Sequence, residues 1–289
     1  VTQTTWESYY AIDANGKVYA WGNNSQGQLG DGTQTNRNLP VLVGSAALST
    51  KTIVKLSVAG NDGTNVFALA SDGSLYAWGD NRAGALGLGD TTLRTTPTLV
   101  TTNVKDVVTR GNYDDPDAGG AATGRWDGDT LVVKNDNTLW AAGANNRGEL
   151  GFGDTTQRNT LTQVPGITNV SKAYMGECGF GGSSNGGIYT AIVNTTGTLF
   201  VAGCNAESNL GVGDSTDRTS FVQPTNTGFQ GKVAGVYPFG LAYANNSTMM
   251  FVLTTDGQLY GTGENAYGQL GIGGTSAGVS TFTKVVRPN

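Results

Sequence analysis

Pairs of short segments in which apolar and polar residues alternate recur along the whole chain. Each pair is joined by a few residues of the turn-forming kind: Asn15-Gly16, Asp72-Gly73, Asp136-Asn137, Thr196-Gly197 and Asp256-Gly257. Strict alternation is typical of half-buried strands, and these residue types supply the positive φ that a tight hairpin turn needs. The pattern therefore predicts five β-hairpins.

Further strands flank each hairpin. An apolar run such as Ile53 to Ala59 comes before it, and a glycine-rich loop leads to a last strand that reads LPVLV, TPTLV, TLTQV, SFVQP or TFTKV. Pro40 and Pro97 place this last strand at a sheet edge, where a missing N–H breaks no ladder. Trp6 to Ile12 aligns with a second strand, so we expect the first sheet to lack its innermost strand.

The glycine-rich loop shows that the chain is a repeat. It occurs as KVYAWGNNSQGQLGDGT, SLYAWGDNRAGALGLGDTT, TLWAAGANNRGELGFGDTT, TLFVAGCNAESNLGVGDST and QLYGTGENAYGQLGIGGTS, within repeats of approximately 1–50, 51–101, 102–166, 167–226 and 227–289. Four-stranded repeats of this kind stack radially. We predict an all-β single domain over 1–289, a β-propeller of five four-stranded blades, with the first blade lacking its innermost strand.

The glycine loop and its spacing resemble those of the regulator of chromosome condensation repeat family, whose members are mostly seven-bladed propellers. The resemblance covers nearly the whole chain. It implies a protein-binding propeller, since the family includes a nucleotide exchange factor, a photoreceptor and an enzyme inhibitor. This chain has five repeats, no basic tail and no inserted hairpin of the kind that would displace a nucleotide, so exchange activity is not expected.

Two sets of residues in the repeats have a structural interpretation. Trp21, Trp78 and Trp140 are expected in the core between blades rather than in a photoreceptor-like cluster. The loop leucines are expected to be buried anchors: Leu29, Leu86, Leu150, Leu210 and Leu270. The glycine runs themselves do not predict a phosphate site, because they recur five times and no GK[ST] follows them.

Composition excludes several functions. The chain has no histidine, which removes Ser-His-Asp and Cys-His catalysis and HExxH zinc sites, and we expect no enzyme activity. The net charge is −5, and the sequence contains no run of lysine or arginine residues. We therefore do not expect binding to nucleic acid or to an anionic membrane surface. The N-terminus has no signal-peptide pattern, and no apolar stretch predicts membrane insertion. Because the chain begins with Val, we expect it to be processed or excerpted from a longer one.

The connections after the first strands differ most between repeats. About five residues suffice in the second repeat, but the third has GNYDDPDAGGAATGRWDGD, the fourth GECGFGGSSNGG and the fifth YPFGLAYANNS. Exposed aromatic side chains among Gly, Ser and Asn are typical of binding surfaces. The predicted partner-binding residues are Tyr113, Asp114, Asp115, Trp126, Phe180, Tyr237, Phe239 and Tyr243. The alternative is that these rings pack under their own loops.

The third of these connections also carries Asp114, Asp115, Asp117, Asp127 and Asp129. Flexible Asp-rich loops can ligate calcium, but the spacing is not that of an EF-hand. A solvated acidic loop is the favoured interpretation, with calcium and a glycosidase carboxylate pair as alternatives. We therefore expect no metal site and no cofactor.

Cys178 and Cys204 follow strands one and three of the fourth repeat, which run in the same direction. Both side chains should therefore emerge at one end of the same sheet, where a disulfide is geometrically feasible and two free thiols are the alternative. We predict the bond. It would imply an oxidising, extracellular setting.

These observations leave two functions open. The first is a non-enzymatic recognition or structural module on an extracellular, cell-surface or virion protein, which would bind a protein or glycan, flanking domains or neighbouring subunits. The second is a regulatory propeller that binds one protein partner, as an inhibitor or an exchange factor does. Low charge and abundant Thr, Asn and Gly favour the first only through composition.

Overall fold

The computed structural model describes residues 2–3, 8–44, 46–59, 64–113, 126–178, 187–226, 228–240 and 248–286. Within these residues the chain forms twenty strands and one four-residue helix, α1 (Ala46–Ser49). The strands make five antiparallel four-stranded sheets, one for each repeat. The predicted five four-stranded sheets are confirmed.

In each sheet the strands are hydrogen-bonded in chain order. Sheet one has β1 (Thr2–Gln3), β2 (Ser8–Ile12), β3 (Val18–Gly22) and β4 (Arg37–Leu42), and sheet two has β5 (Ile53–Val58), β6 (Asn65–Ala70), β7 (Leu75–Gly79) and β8 (Arg94–Thr101). Sheet three has β9 (Val104–Tyr113), β10 (Trp126–Lys134), β11 (Leu139–Gly143) and β12 (Arg158–Gln163). Sheet four has β13 (Val170–Cys178), β14 (Gly187–Asn194), β15 (Leu199–Gly203) and β16 (Arg218–Val222). Sheet five has β17 (Val233–Phe239), β18 (Met249–Thr254), β19 (Leu259–Asn265) and β20 (Ser276–Lys284).

The first sheet corrects one prediction, because it does not lack its innermost strand. Thr2 pairs with Tyr10 and Gln3 with Tyr9, so the two-residue strand β1 occupies the position in sheet one that β5 occupies in sheet two. Two residues are too few to show an alternating pattern in the sequence. The pairing depends on the partner strand rather than on any signal in β1 itself.

The chain divides into two compact units. The first consists of Val1–Tyr113, Gly124–Ala144 and Gln157–Val164 and contains sheets one to three. The second consists of Asp114–Thr123, Asn145–Thr156 and Pro165–Asn289 and contains sheets four and five with the glycine loop of repeat three. Each unit has its own apolar core between successive sheets. No helix among the described residues has the length and apolar character needed to cross a membrane.

A buried asparagine organises every glycine loop. The amide of Asn81 lies at the start of the second loop, where its Oδ1 accepts a hydrogen bond from Leu86 N at 3.0 Å and its Nδ2 donates to Asp90 O at 2.9 Å. The other four loops repeat the bond to leucine: Asn24 to Leu29, Asn145 to Leu150, Asn205 to Leu210 and Asn265 to Leu270. All five leucines are buried, which confirms their predicted role as anchors.

The glycine loop of one repeat also binds the outer strand of the next sheet. In the first unit Leu88 bridges to Thr160, and Gly89 N donates to Asn159 O at 2.8 Å. In the second unit Phe152 bridges to Ser220 and Val212 to Thr281. The loops have no room for side chains at these contacts: a Cβ on Gly151, whose φ is +78°, would lie 2.3 Å from the ring of Phe221.

The three tryptophans of the repeat do not share one environment. Trp78 is fully buried between sheets one and two, and its indole N–H donates to Gln28 O at 2.7 Å, as predicted for a core residue. Trp21 is half-buried and stacks on Tyr9 with ring centroids 5.8 Å apart. Trp140 is also half-buried, with the Lys134 ammonium 4.2 Å from its ring centre. Trp140 nevertheless packs against the core between sheets two and three, as predicted, whereas the prediction of a core position is wrong for Trp21.

Candidate functional site

The connections between strands one and two vary in length far more than the hairpin turns between strands two and three. At one end, strands two and three are joined by four or five residues in every repeat. At the other end, strands one and two are joined by residues 4–7 in sheet one and by residues 59–64 in sheet two. In sheets three, four and five they are joined by the longer segments 114–125, 179–186 and 240–248. We call these last three segments the long connections. A scaffold that needs only hairpins does not require them, so each of the three is a candidate functional segment.

In sheet three the first two strands extend into the long connection. Tyr113 pairs with Trp126, Asn112 with Asp127 and Gly111 with Gly128, so both predicted aromatic residues lie at the tip of a strand pair rather than in a loop. Gly111, Asn112 and Trp126 were expected to be loop residues, and their placement in β9 and β10 corrects that expectation. The pairing brings the backbones of Tyr113 and Trp126 together, and the orientation of their side chains lies outside what the structure describes.

In sheet five the two predicted aromatic residues also lie on a strand. Tyr237 and Phe239 are on β17, two residues apart and therefore on the same face, with exposed fractions of 47% and 53%. Tyr237 pairs with Phe251 of β18, and the Phe239 ring meets the Phe251 ring edge-on at 6.0 Å. The expectation that they belong to a loop is wrong. They form part of an apolar sheet face.

The remaining predicted residues fall outside the described part of the chain. These are Asp114, Asp115, Phe180 and Tyr243, together with Asp117 and the side chain of Asp127 from the calcium alternative. Asp129 is described, and it is fully buried. Among the described residues no three acidic or cysteine side chains are grouped so that they could hold a metal ion.

A disulfide joins Cys178 to Cys204 below the long connection of sheet four. It links the end of β13 to the residue after β15, with Cα atoms 6.4 Å apart, and both cysteines are buried. Asn209 Nδ2 donates to Cys204 O at 2.9 Å and so fixes the glycine loop to the same point. The bond therefore anchors one end of segment 179–186 to the sheet below it.

Two contacts that sequence reasoning missed fix the long connection of sheet five. The Tyr189 hydroxyl, on β14, lies 3.2 Å from Phe239 O and 3.0 Å from Met249 O, which are at the two ends of that connection. Gly240 lies so close to the Glu177 backbone that an added Cβ would be 1.8 Å from its carbonyl oxygen. Neither contact has a sequence signal, because both join different repeats.

Charged groups surround the same end of the second unit. Arg147 pairs with Asp217 at 3.3 Å, and Arg147 N donates to the Glu149 carboxylate at 2.7 Å. Burial and the neighbouring Glu264 carboxylate raise the pKa of Glu207 above its usual value. The described charged groups at this end of the second unit are therefore paired or buried, as Arg147 with Asp217 and the buried Glu149 show, and the sequence has no histidine, the residue that acid–base catalysis most often uses.

Comparison with known proteins gives relatives of varied activity. The chain is 28% identical over 273 residues to the E3 ubiquitin-protein ligase HERC2 of Homo sapiens. The aligned segment covers 92% of this chain and 5% of that protein. It is 28% identical over 263 residues to the ultraviolet-B receptor UVR8 of Arabidopsis thaliana, 89% of this chain and 51% of that protein. It is 32% identical over 148 residues to the X-linked retinitis pigmentosa GTPase regulator of Mus musculus, 50% of this chain and 13% of that protein. The chain thus spans about half or less of these relatives.

Solved structures give the same fold. Yeast RCC1 (Prp20), solved with Kap60 bound, superposes with a TM-score of 0.67 at 17% identity, over 98% of this chain and 60% of that one. Human WBSCR16 superposes with a TM-score of 0.67 at 20% identity, over 97% of this chain and 65% of that one. The fold is of the β-propeller class. The family model for the regulator of chromosome condensation (RCC1) repeat matches residues 15–64 and 72–110, so the chain is similar to RCC1 repeat proteins over these two segments.

Proposed function

We propose that the chain is a non-enzymatic regulatory module that binds a protein partner through its long connections. One observation carries the proposal: the connections between strands one and two grow from four to twelve residues, while the hairpin turns between strands two and three stay at four or five. Ordering a loop residue costs about 1 to 2 kcal/mol of conformational entropy. Sheet two shows that the repeat folds without this extra length.

The relatives support a binding role rather than a catalytic one. The shared segment is 5% of a ubiquitin ligase, 51% of a photoreceptor and 13% of a GTPase regulator. One segment that occurs in proteins of such different activities is best explained as a scaffold for recognition. A GTPase regulator is among the relatives, and the solved structure of Prp20p from Saccharomyces cerevisiae was described with its binding properties to Gsp1p and histones, so both favour a protein as the ligand.

A second candidate function is favoured by the disulfide between Cys178 and Cys204. Structural disulfides persist in oxidising compartments, so the bond supports a recognition module displayed outside the cell or on a virion. The relatives, which include a GTPase regulator, favour a regulatory function instead. We therefore place the regulatory function first and the extracellular one second.

The two candidates are separated by a binding panel. The intact chain is immobilised and exposed to purified small GTPases, secreted hydrolases and surface glycans, with binding measured by interferometry. Binding of a GTPase or a hydrolase supports the regulatory module, and binding of glycans alone supports the extracellular one.

The binding site is then tested with one substitution and a matched control. Trp126→Ala at the long connection of sheet three should weaken partner binding about tenfold or more, since aromatic anchors often contribute about 2 kcal/mol. Asn15→Ala lies in an exposed hairpin turn at the opposite end and should leave binding unchanged. If Asn15→Ala weakened binding and Trp126→Ala did not, the partner would bind at the hairpin turns rather than at the long connections, and the proposal would be contradicted.

A further inference from the structure

An open cavity of about 310 Å³ lies between sheets four and five, beside their hairpin turns and away from the long connections. All of its lining residues belong to the second compact unit. One wall consists of β13 and the turn between β14 and β15, and the other consists of residues 231–234 with Thr255. Small-molecule sites in proteins have volumes of about 300 to 1,000 Å³, so this cavity has room for a small ligand.

The charge of the cavity is opposite to that of the chain. Lys172 and Lys232 line it and no acidic side chain does, whereas the chain has a net charge of −5. The Lys232 ammonium lies 3.8 Å from the Asp256 carboxylate, which is beyond hydrogen-bond distance, and both side chains are half exposed. The Lys172 ammonium has no hydrogen bond or ion pair with any residue that the structure describes. Two cations therefore line the cavity without a close counter-charge.

Lys172 has the position of a lysine that is ion-paired in the first unit. In sheets two and four the register shifts after the first paired residue of the first strand, and the next paired residue is Lys55 in β5 and Lys172 in β13. The equivalent residue of sheet three is Asp106, which forms an ion pair with Lys55. The equivalent residue of sheet five is Gly235. Lys172 therefore faces a sheet that has a glycine where the carboxylate would be.

Polar groups that the fold does not use also line the cavity. The Asn194 Oδ1 accepts a hydrogen bond from Thr198 N at 2.8 Å, and the Nδ2 of the same amide has no partner among the described residues. The hydroxyls of Thr195 and Thr255 likewise make no hydrogen bond within the described part of the chain. These groups are suited to bind the hydroxyls of a ligand, and the half-buried Tyr174 ring offers an apolar surface to its C–H groups.

Backbone hydrogen bonds hold the two walls together. Gly197 O, in the hairpin turn of sheet four, accepts hydrogen bonds from Gly231 N and from Val233 N, both at 3.1 Å. In sheet five, Thr255 N donates to Lys232 O at 2.7 Å and so fixes the backbone that carries this lysine. A site with walls that are already fixed loses little conformational entropy when a ligand binds.

We propose that this cavity binds a small hydroxylated anion, such as an acidic sugar or a sugar phosphate. The anionic group of the ligand supplies the charge that Asp106 supplies to Lys55, and it contacts the ammonium groups of Lys172 and Lys232. The ligand hydroxyls bind the Asn194 amide and the threonine hydroxyls. Because the cavity lies away from the long connections, loss of this binding would leave the partner binding proposed above unchanged.

Titrations of the intact chain followed by amide NMR at low ionic strength, where screening is weak, test the class of ligand. The probes are glucuronate, glucose 6-phosphate, glucose and inorganic phosphate. We expect the amide signals of Thr195, Gly197 and Thr255 to shift with an acidic probe sugar at about millimolar concentration, and this sugar to bind about tenfold more tightly than glucose. The tighter of the two acidic sugars identifies the anionic group. The proposal is overturned if neither shifts these signals up to about 50 mM, or if glucose or inorganic phosphate binds as tightly.

Substitutions of lysine test which charges hold the anion. Lys172→Gln and Lys232→Gln each remove one positive charge from the cavity and should weaken binding of the acidic sugar about fivefold or more, the upper range for an exposed ion pair. Lys284→Gln is the matched control, because Lys284 is an exposed lysine of the same unit that does not line the cavity. It should leave binding unchanged. Equal binding by all three variants would contradict the proposal.

A substitution of Gly235 tests whether the missing carboxylate leaves Lys172 available. Gly235→Asp introduces a carboxylate at the position equivalent to Asp106, and a Cβ there would lie 3.3 Å from the hydroxyl oxygen of the exposed Tyr237 side chain. Gly235→Asn has nearly the same shape without the charge. We expect Gly235→Asp to weaken binding of the acidic sugar about tenfold relative to Gly235→Asn, because the new carboxylate pairs with Lys172 and repels the anion. The same affinity for both variants would refute the role given to Lys172.

Discussion

The asparagine that begins each glycine loop should be among the most stabilising polar residues of the chain. Asn81 is buried, accepts a hydrogen bond from Leu86 N and donates one to Asp90 O. Asn81→Ala leaves the Leu86 N–H without an acceptor in a fully buried position, which costs about 1 to 3 kcal/mol, and loses the bond to Asp90, worth about 0.5 to 1.5 kcal/mol. We expect a total loss of about 2 to 4 kcal/mol.

The assay is equilibrium unfolding in urea, followed by tryptophan fluorescence. Trp78 reports on this region, because it is buried in the core that sheets one and two share. The unfolding midpoint of Asn81→Ala should fall while the slope with denaturant stays the same. Asn15→Ala is the control, since it removes an exposed asparagine of a hairpin turn. The reasoning fails if the two variants differ in unfolding free energy by less than about 1 kcal/mol, the usual worth of one net hydrogen bond.

Three further predictions concern the disulfide, one ion pair and one glycine. Replacing Cys178 and Cys204 by serine should lower the unfolding free energy by about 3 to 4 kcal/mol on the chain-entropy model, measured in urea against the oxidised wild type; an unchanged midpoint would contradict it. The hydrogen bond from Lys51 lowers the pKa of Asp72 to about 2, so the ion pair stabilises the fold fully above pH 4 and loses its effect as the pH falls towards 2. A carboxyl carbon NMR titration should show that midpoint, and a value near 4 would contradict it. Gly151→Ala should cost about 2 kcal/mol or more, because alanine is strained at φ +78° and meets the aromatic ring of the next repeat, whereas Gly166→Ala should cost less in the same assay.

The architecture could be predicted because each repeat carries its own signals. The hairpin turns, the alternating strands and the asparagine-to-leucine spacing are local, and their recurrence fixes the number of sheets. Strand β1 has no such signal, since its two residues show no pattern and form a strand by pairing with Tyr9 and Tyr10. Local pattern also failed to show that β9 and β10 continue to Tyr113 and Trp126, because the pairing of Gly, Asn and Asp residues there follows from the strands already formed.

The candidate site could be predicted less well, because a ring looks the same in a loop and on an open sheet face. The sequence predicts Tyr237 and Phe239 as loop aromatics, but they lie on strand β17 and are exposed there. Whether a ring on a strand is exposed depends on what packs beside its sheet, and that is not a local property of the sequence. The contacts of Tyr189 and Gly240 join two repeats and could not be found in either one alone.

The binding of each glycine loop to the next sheet has a consequence for how the chain unfolds. Within each unit a sheet is held by its own strands and by the loop of the sheet before it. Such an array behaves like a row of coupled elements, in which the free energy is a sum of terms for single repeats and for neighbouring pairs. A substitution at a contact between a glycine loop and the next sheet therefore lowers a pair term and weakens two repeats at once. Adding or deleting a whole repeat changes that sum by a fixed increment.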